Sequence, residues 1–204
     1  MELWTRRFWI FDLDGTLTHA VHDFAALRQR LGLAPGTPLL EVLDEVPPQE
    51  AERIRAGIAA WEWEMAEEAV AAPDALSLVK ALLAHGRTVG ILTRNRRDIG
   101  LRTLAVAGML DLFDEQAVLG RDEAAPKPAP DGISRLLSHW GADPGDAVMV
   151  GDYLFDLQAG RAAGTATVYI DRAGEALWNA EADRVVRALD ELLPVESDLT
   201  DPHK

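Results

Sequence analysis

Short apolar, β-rich runs recur along the chain: FWIFDL (8–13), TVGILT (88–93), AVMVGD (147–152) and ATVYID (166–171). Continuous runs of this kind suit strands of a parallel sheet covered on both faces. QAVLG (116–120) is a weaker fifth strand. Helical stretches lie between them, near 74–85, 96–107, 129–140 and 154–163. Gly86, Gly108, Gly141 and Gly164 fall at or just past the helix ends, where stop signals belong. This alternation predicts an α/β fold built on a doubly wound parallel sheet.

Residues 18–72 break the rhythm. They predict helices at roughly 21–31, 38–45 and 48–70, with breaks at Gly32-Leu-Ala-Pro35-Gly36 and Pro47-Pro48, and no convincing strand. The segment reads as a helical insert between the first strand and the next core helix. Pro73 marks re-entry into the core, with Asp74 placed to cap that helix. The expected organisation is therefore a core of residues 1–17 and 73–204 and a small helical domain at 18–72.

Composition narrows the picture. The chain has 204 residues, 48% of them hydrophobic, enough for a real core. No apolar run is long enough for a transmembrane helix, and MELWTRRFW lacks the apolar segment of a secretory signal. A formal charge of −14 argues against nonspecific binding to nucleic acid or an anionic membrane. Cysteine is absent, which excludes disulfides and thiol catalysis. The expectation is a cytoplasmic protein whose acidic tail, Asp190 to Asp201, is frayed and solvated. Of 20 basic residues only Lys80, Lys127 and Lys204 are lysines. Lys204 is terminal, and Lys80 should face out of a helix whose apolar stripe is Leu76, Val79 and Leu83. Lys127 lies between prolines in AAPKPAP, where no such surface role applies.

In open α/β sheets, ligands bind beyond the carboxyl ends of the strands. The first run ends in Asp12 and Asp14, which an extended strand would place on one face. Two carboxylates about 4 Å apart repel by roughly 4 kcal/mol at an effective dielectric of 20, so the pair calls for a cation, a shared proton or solvent. The second run delivers Thr93-Arg94-Asn95. The third delivers Asp152, with Asp156 four residues on, and the loop before the 129–140 helix offers Lys127. Each feature alone is common: the bland reading of Asp152 is a cap of the next helix. Their occurrence in order, each at a strand end or flanking loop, argues for one site. Oxygen-only ligation favours Mg²⁺. Thr93, Lys127 and backbone N–H groups around Gly15 and Asn95 suit a phosphoryl group, with Asp12 free to act as nucleophile. The histidines, at 19, 22, 85, 139 and 203, show no metal-site spacing; only His22 falls near the expected cleft.

At this point the chain closely resembles the haloacid dehalogenase superfamily of hydrolases, from Phe8 to about Arg172. DLDGT (12–16), ILTRN (91–95), Lys127 in KPAP and GDYLFD (151–156) look like its four motifs, in order, and the insert matches its α-helical cap. The resemblance implies a Rossmann-like core and an aspartyl-phosphate formed on Asp12. Asp14 would protonate the leaving oxygen, then activate water, and would ligate Mg²⁺ through its backbone carbonyl. Asp12 and Asp152 complete the implied metal set, with Asp156 supporting it. Thr93 and Lys127 would hold the phosphoryl oxygens, with Gly15, Arg94 and Asn95 as further phosphate contacts.

Within the superfamily, dehalogenases lack an equivalent of Asp14, and phosphonate-cleaving members use a cap lysine, whereas residues 18–72 contain none. Sugar phosphomutases commonly have Val in place of Thr16. The pattern is similar to phosphoglycolate phosphatases and their relatives, though with a short cap. It implies a phosphatase of small phosphorylated metabolites. The alternatives are a phosphomutase and a phosphate-responsive regulatory protein; Asp14, which speeds loss of the phosphoryl group, argues against a stable phospho-switch. Trp61 and Trp63 are expected to pack between cap helices with one of them partly exposed, or else to line the cleft. Arg28 and Arg30 read as solvated, or as steering an acidic substrate.

Overall fold

A computed structural model of the chain describes residues 3–19 and 23–194. Six strands form one parallel sheet: β1 (Phe8–Phe11), β2 (Thr88–Leu92), β3 (Val118–Leu119), β4 (Ala147–Gly151), β5 (Ala166–Ile170) and β6 (Arg184–Val186). Their order is β3-β2-β1-β4-β5-β6, so successive connections run in opposite directions from β1. Such a reversal opens a crevice at the carboxyl edge beside β1. The register is level there. Phe11 pairs with Ile91 on one side and Val150 on the other, which brings Asp12, Thr93 and Asp152 to one edge.

The helices are α1 (Phe24–Leu31), α2 (Pro48–Glu67), α3 (Ala75–Ala84), α4 (Arg97–Val106), α5 (Asp131–Trp140) and α6 (Leu154–Ala163). Side chains alternate across the sheet, as strand geometry requires. Trp9, Phe11, Val148 and Val150 face α3 and α4 in one apolar cluster. Phe8, Ile10 and Met149 face α5 and α6 in the other. A third cluster joins Leu27, Leu31, Val42, Ile54, Ile58 and Trp61 within the insert. Trp61 belongs to that cluster, whereas Trp63 is 45% exposed.

Several boundaries depart from expectation for local reasons. α1 begins at Phe24 because Asp23 accepts from the N–H groups of Ala25 and Ala26; residues 21 and 22 lie outside the described residues. The stretch expected as a helix at 38–45 is a 3₁₀ turn, Glu41–Asp44. α2 stops at Glu67, because Val70 and Ala71 pair back onto the outgoing chain. His19 N–H donates to the Val70 carbonyl (3.0 Å), and Thr18 bridges Ala71. The apolar face of α3 is Ala75, Leu78, Val79 and Leu82, with Leu83 exposed, rather than Leu76–Val79–Leu83; Lys80 is exposed.

Asp74 does stand at the N-terminus of α3, but its carboxylate makes no cap bond. It binds Arg172 (2.9 and 3.0 Å) and the Leu189 N–H (2.5 Å) instead. That tie corrects the reading of the tail. Leu189–Leu192 forms a 3₁₀ turn with both leucines buried against the core, so the chain is anchored through residue 194; residues 195–201 lie outside the described residues.

Candidate active site

The strand β1 ends one residue before Asp12, whose N–H donates to the Val150 carbonyl of β4 (2.9 Å). The chain then turns, with Leu17 N–H and Thr18 N–H both reaching the Leu13 carbonyl. Gly15 sits in this turn at φ +86°, and a Cβ there would lie 2.1 Å from Asp152 Oδ2. Only glycine satisfies both conditions.

The turn also revises the expected placement of Asp12 and Asp14. They do not share a strand face, because Asp14 leaves on the turn. Its carboxylate accepts from Asn95 Nδ2 (2.7 Å) and from Thr18 Oγ1 (3.4 Å).

Lys127 is the centre of the charged group. Its buried ammonium lies 2.5 Å from Asp12 Oδ1 and 2.5 Å from Asp156 Oδ1. Asp156 stands in the first turn of α6, where its second oxygen accepts from the Tyr153 N–H (3.0 Å). Asp152 therefore does not cap α6. Carboxylate oxygens of Asp12, Asp152 and Asp156 lie within 4.8 Å of one another. Thr93 is buried at the end of β2, with its hydroxyl accepting from the Asn95 N–H (3.1 Å). Arg94 is held away from these groups: its guanidinium lies 4.9 Å from the Phe155 ring centre and bonds Glu41 of the insert (2.7 Å).

This electrostatic arrangement favours a cation. Burial raises Asp14 to about 7, with Asp12 adding repulsion. Burial likewise raises Asp152 to about 8, reinforced by Asp12 and Asp156, and Asp156 to about 6 despite Lys127. Burial alone would depress Lys127, but Asp12 and Asp156 outweigh it and hold it above its ordinary value. One ammonium does not neutralise this many acids. The oxygen-only donor set and its spacing fit a hard divalent cation such as Mg²⁺.

A pH signature follows. Carboxyl groups whose folded pKa exceeds the unfolded value stabilise the fold while protonated and lose that contribution as pH rises through the folded values, here about 6 to 8. In chelator, Tm is expected to fall by about 5 °C or more from pH 5.5 to 8.5, at roughly 2–4 °C per kcal/mol for a chain of this size. Mg²⁺ should raise Tm more at pH 8.5 than at pH 5.5, because fewer protons then compete for the site. Thermal melts of wild type and Asp152→Asn test this. An equally steep slope in the variant would assign the effect to the general negative charge instead.

The charged contacts of the insert were not evident in the sequence. Glu62 of α2 and Arg121, just after β3, form a buried two-pronged ion pair (2.6 and 3.0 Å). Glu67 pairs with Arg102 at the surface (2.6 Å). Gly120 is a further residue whose role only the structure shows. A Cβ there would come within 2.5 Å of Arg97 N and Asn95 O, so glycine lets the β3 end meet the 93–95 loop. The nearest sequence signal is its place as the last residue of the weak fifth strand, QAVLG. His22 lies outside the described residues.

Known proteins bear on the same elements. The family model for haloacid dehalogenase-like hydrolases matches residues 9–170. The pyrophosphatase PpaX of Listeria innocua is 28% identical over 209 residues, covering 93% of this chain and 95% of its own. A hydrolase from Pseudomonas syringae superposes with a TM-score of 0.78 at 22% identity, covering 92% of this chain and 96% of that one. A hydrolase of the same family from Deinococcus radiodurans, solved with bound phosphate and sodium, superposes at 0.68 with 23% identity, covering 92% and 93%.

Proposed function

Because the chain belongs to the haloacid dehalogenase-like hydrolase family, we propose that it is a cytoplasmic, Mg²⁺-dependent phosphatase of small phosphorylated metabolites. The observation that carries this reading is the buried Lys127 ammonium bridging Asp12 and Asp156, with Asp152 at the same strand edge. A carboxylate held against an ammonium, beside a cation site, suits attack on a phosphoryl group, whose charged oxygens both cations would neutralise.

In this mechanism Asp12 attacks phosphorus as the P–O bond to the leaving group breaks. Asp14, with a pKa near 7, gives its proton to the departing oxygen. Asp14 then takes a proton from water, whose oxygen attacks phosphorus and breaks the bond to Asp12. Phosphate leaves and Asp12 is regenerated. Lys127 and the Thr93 hydroxyl hold the phosphoryl oxygens; the expected nest of Gly15 and Asn95 N–H groups is taken up instead by the Thr18 carbonyl (3.0 Å) and the Thr93 hydroxyl (3.1 Å). Mg²⁺ would be held by Asp12, Asp152 and the Asp14 backbone carbonyl, with Asp156 in support, and would neutralise charge on the phosphoryl group.

The insert, 18–72, is proposed as a cap over the core, 1–17 and 73–204. Between them lies a cavity of about 240 Å³ whose walls combine apolar residues (Leu40, Leu43, Ile58 and Pro126) with Arg55, Arg96, Arg121 and the acid Asp122. None of Asp12, Asp14, Thr93, Lys127 and Asp152 lines it, and its arginines are paired with Glu52, Asp98 and Glu62, so it is proposed to receive the far end of a leaving group, with its apolar residues as the main contacts. The pyrophosphatase relatives add inorganic diphosphate to the substrates worth trying.

The test is phosphate release from sugar, acid and nucleotide phosphates and diphosphate, with and without Mg²⁺. Release is expected only with the metal, and Leu43→Ala or Arg55→Ala should change relative rates among metabolites more than the rate on a small aryl phosphate. Full activity after exhaustive chelation would overturn the metal assignment. A bisphosphate-requiring return of an isomeric phosphate would identify a mutase, and a long-lived phosphoprotein a regulator.

A further inference from the structure

We infer that Glu62 and Arg121 are positioning residues that couple docking of the insert to the orientation of Asp14. The inference rests on the proposed role of Asp14 as proton donor. Glu62 projects from α2 of the insert, and Arg121 from the core, 59 residues away. Their side chains are 6% and 11% exposed. Burial raises the pKa of Glu62, and Asp14 adds repulsion, although Arg121 opposes both; Glu62 thus lies within electrostatic reach of the site.

A buried ion pair is a poor choice if the only need is to hold two surfaces together. Desolvation cancels much of its attraction, and apolar residues of similar size often do as well. The pair's other contacts supply a reason for it. Arg121 grips the loop that carries Asn95 at two points: its Nη1 donates to the Arg94 carbonyl (3.0 Å), and its backbone N–H to the Asn95 carbonyl (2.9 Å). Asn95 Nδ2 in turn donates to Asp14 Oδ2 (2.7 Å). A continuous series of bonds therefore runs from the insert through Arg121 and the 94–95 backbone to Asp14.

Among the described residues, two other ion pairs join insert and core, and both differ from this one. Glu67–Arg102 is about 42% exposed on both sides and attaches to α4, away from this loop. Glu41, itself half-exposed, binds the side chain of Arg94 and not the loop backbone. Glu62 is the one that reaches, through Arg121, the backbone holding Asn95. With the insert docked, Arg121 is fixed and Asn95 is pinned. Without Glu62, Arg121 can turn to solvent, the loop loosens and Asp14 loses its aim.

General acid catalysis typically contributes about 10²–10⁴-fold, and its loss is felt most where the leaving group is a poor anion. The experiment measures kcat/KM with Mg²⁺ for 4-nitrophenyl phosphate and 4-methoxyphenyl phosphate, which share shape but differ in the basicity of the leaving oxygen. In Glu62→Ala, 4-methoxyphenyl phosphate should lose about 10–100-fold and 4-nitrophenyl phosphate under about threefold. Glu62→Gln, which keeps the shape, should show the same bias in smaller degree and covers the case in which Ala impairs folding. Asn95→Ala should show the bias fully, and the Glu62→Ala/Asn95→Ala double variant should be no worse than Asn95→Ala alone, because both act through one bond. Glu67→Ala should leave the ratio of the two substrates unchanged.

Equal losses on both esters, additive losses in the double variant, or the same bias in Glu67→Ala would each overturn the inference. Absence of Mg²⁺-dependent phosphate release by wild type from these esters and from every sugar, acid and nucleotide phosphate and diphosphate tried would instead overturn the phosphatase reading on which it rests.

Discussion

Asp12→Asn is expected to remove turnover by at least about 10⁴-fold, the scale seen when a covalent nucleophile is deleted. The amide matches the carboxylate in shape but cannot attack phosphorus. The fold should survive. Asp12 N–H keeps its bond to Val150, and Lys127 keeps Asp156 at 2.5 Å. Removing the Asp12 charge also relieves repulsion that raises Asp14 and Asp152. The metal-free variant should therefore melt no lower than wild type at pH 8. Acid-quenched wild type should carry a phosphoryl adduct on Asp12, and Asp14→Asn should accumulate it, because water is no longer deprotonated. An adduct on another residue, or an active Asp12→Asn enzyme, would defeat the scheme.

Lys127→Arg should cost about 100-fold or more in kcat, the usual scale for losing one preorganised charge contact in a closed site. The ammonium is a point charge that fits between two carboxylate oxygens, each 2.5 Å away, in a position only 3% exposed. Guanidinium is a wide planar fork and cannot occupy that space without displacing Asp12 or Asp156. Lys127→Met should be destabilising as well as inactive. Deleting one partner of a buried charge group typically costs about 3–5 kcal/mol. Mg²⁺ should restore part of that loss, since it neutralises the same carboxylates. Steady-state kinetics on the Arg variant and chemical denaturation of the Met variant, with and without Mg²⁺, check both claims. Kinetics near wild type for Lys127→Arg would show that the lysine does not touch the reacting group.

What could be read from the chain was what local pattern and chain order encode. The continuous apolar runs at 8–13, 88–93, 147–152 and 166–171 become β1, β2, β4 and β5, because a strand buried on both faces must be apolar along its length. The helices between them end where glycines with positive φ stand, at 86, 108, 141 and 164. β6 was not legible: it is three residues long, begins with an exposed arginine and exists because β5 offers it an edge.

The residues of the candidate site were legible for the same reason. Parallel strands in register deliver their carboxyl ends to one edge, so Asp12, Thr93 and Asp152 meet wherever the connections run. Their roles in space were not. Strand periodicity put Asp14 beside Asp12, whereas the turn at Gly15 and the Asn95 amide, 81 residues away, carry it to another partner. Asp74 looked like a helix cap because it precedes a helix, yet it binds Arg172 and Leu189 from the far end of the chain. Glu62 read as one acid among several on a long helix until tertiary structure buried it against Arg121. An unpaired buried charge is too costly to leave, but a sequence does not say which opposite charge, dozens of residues away, will be brought to meet it. The chain's own pattern thus determined the sheet and the order of its acids. Only packing decided which of those acids would share the Lys127 ammonium, which would accept from an amide, and which would tie α2 to the loop after β3.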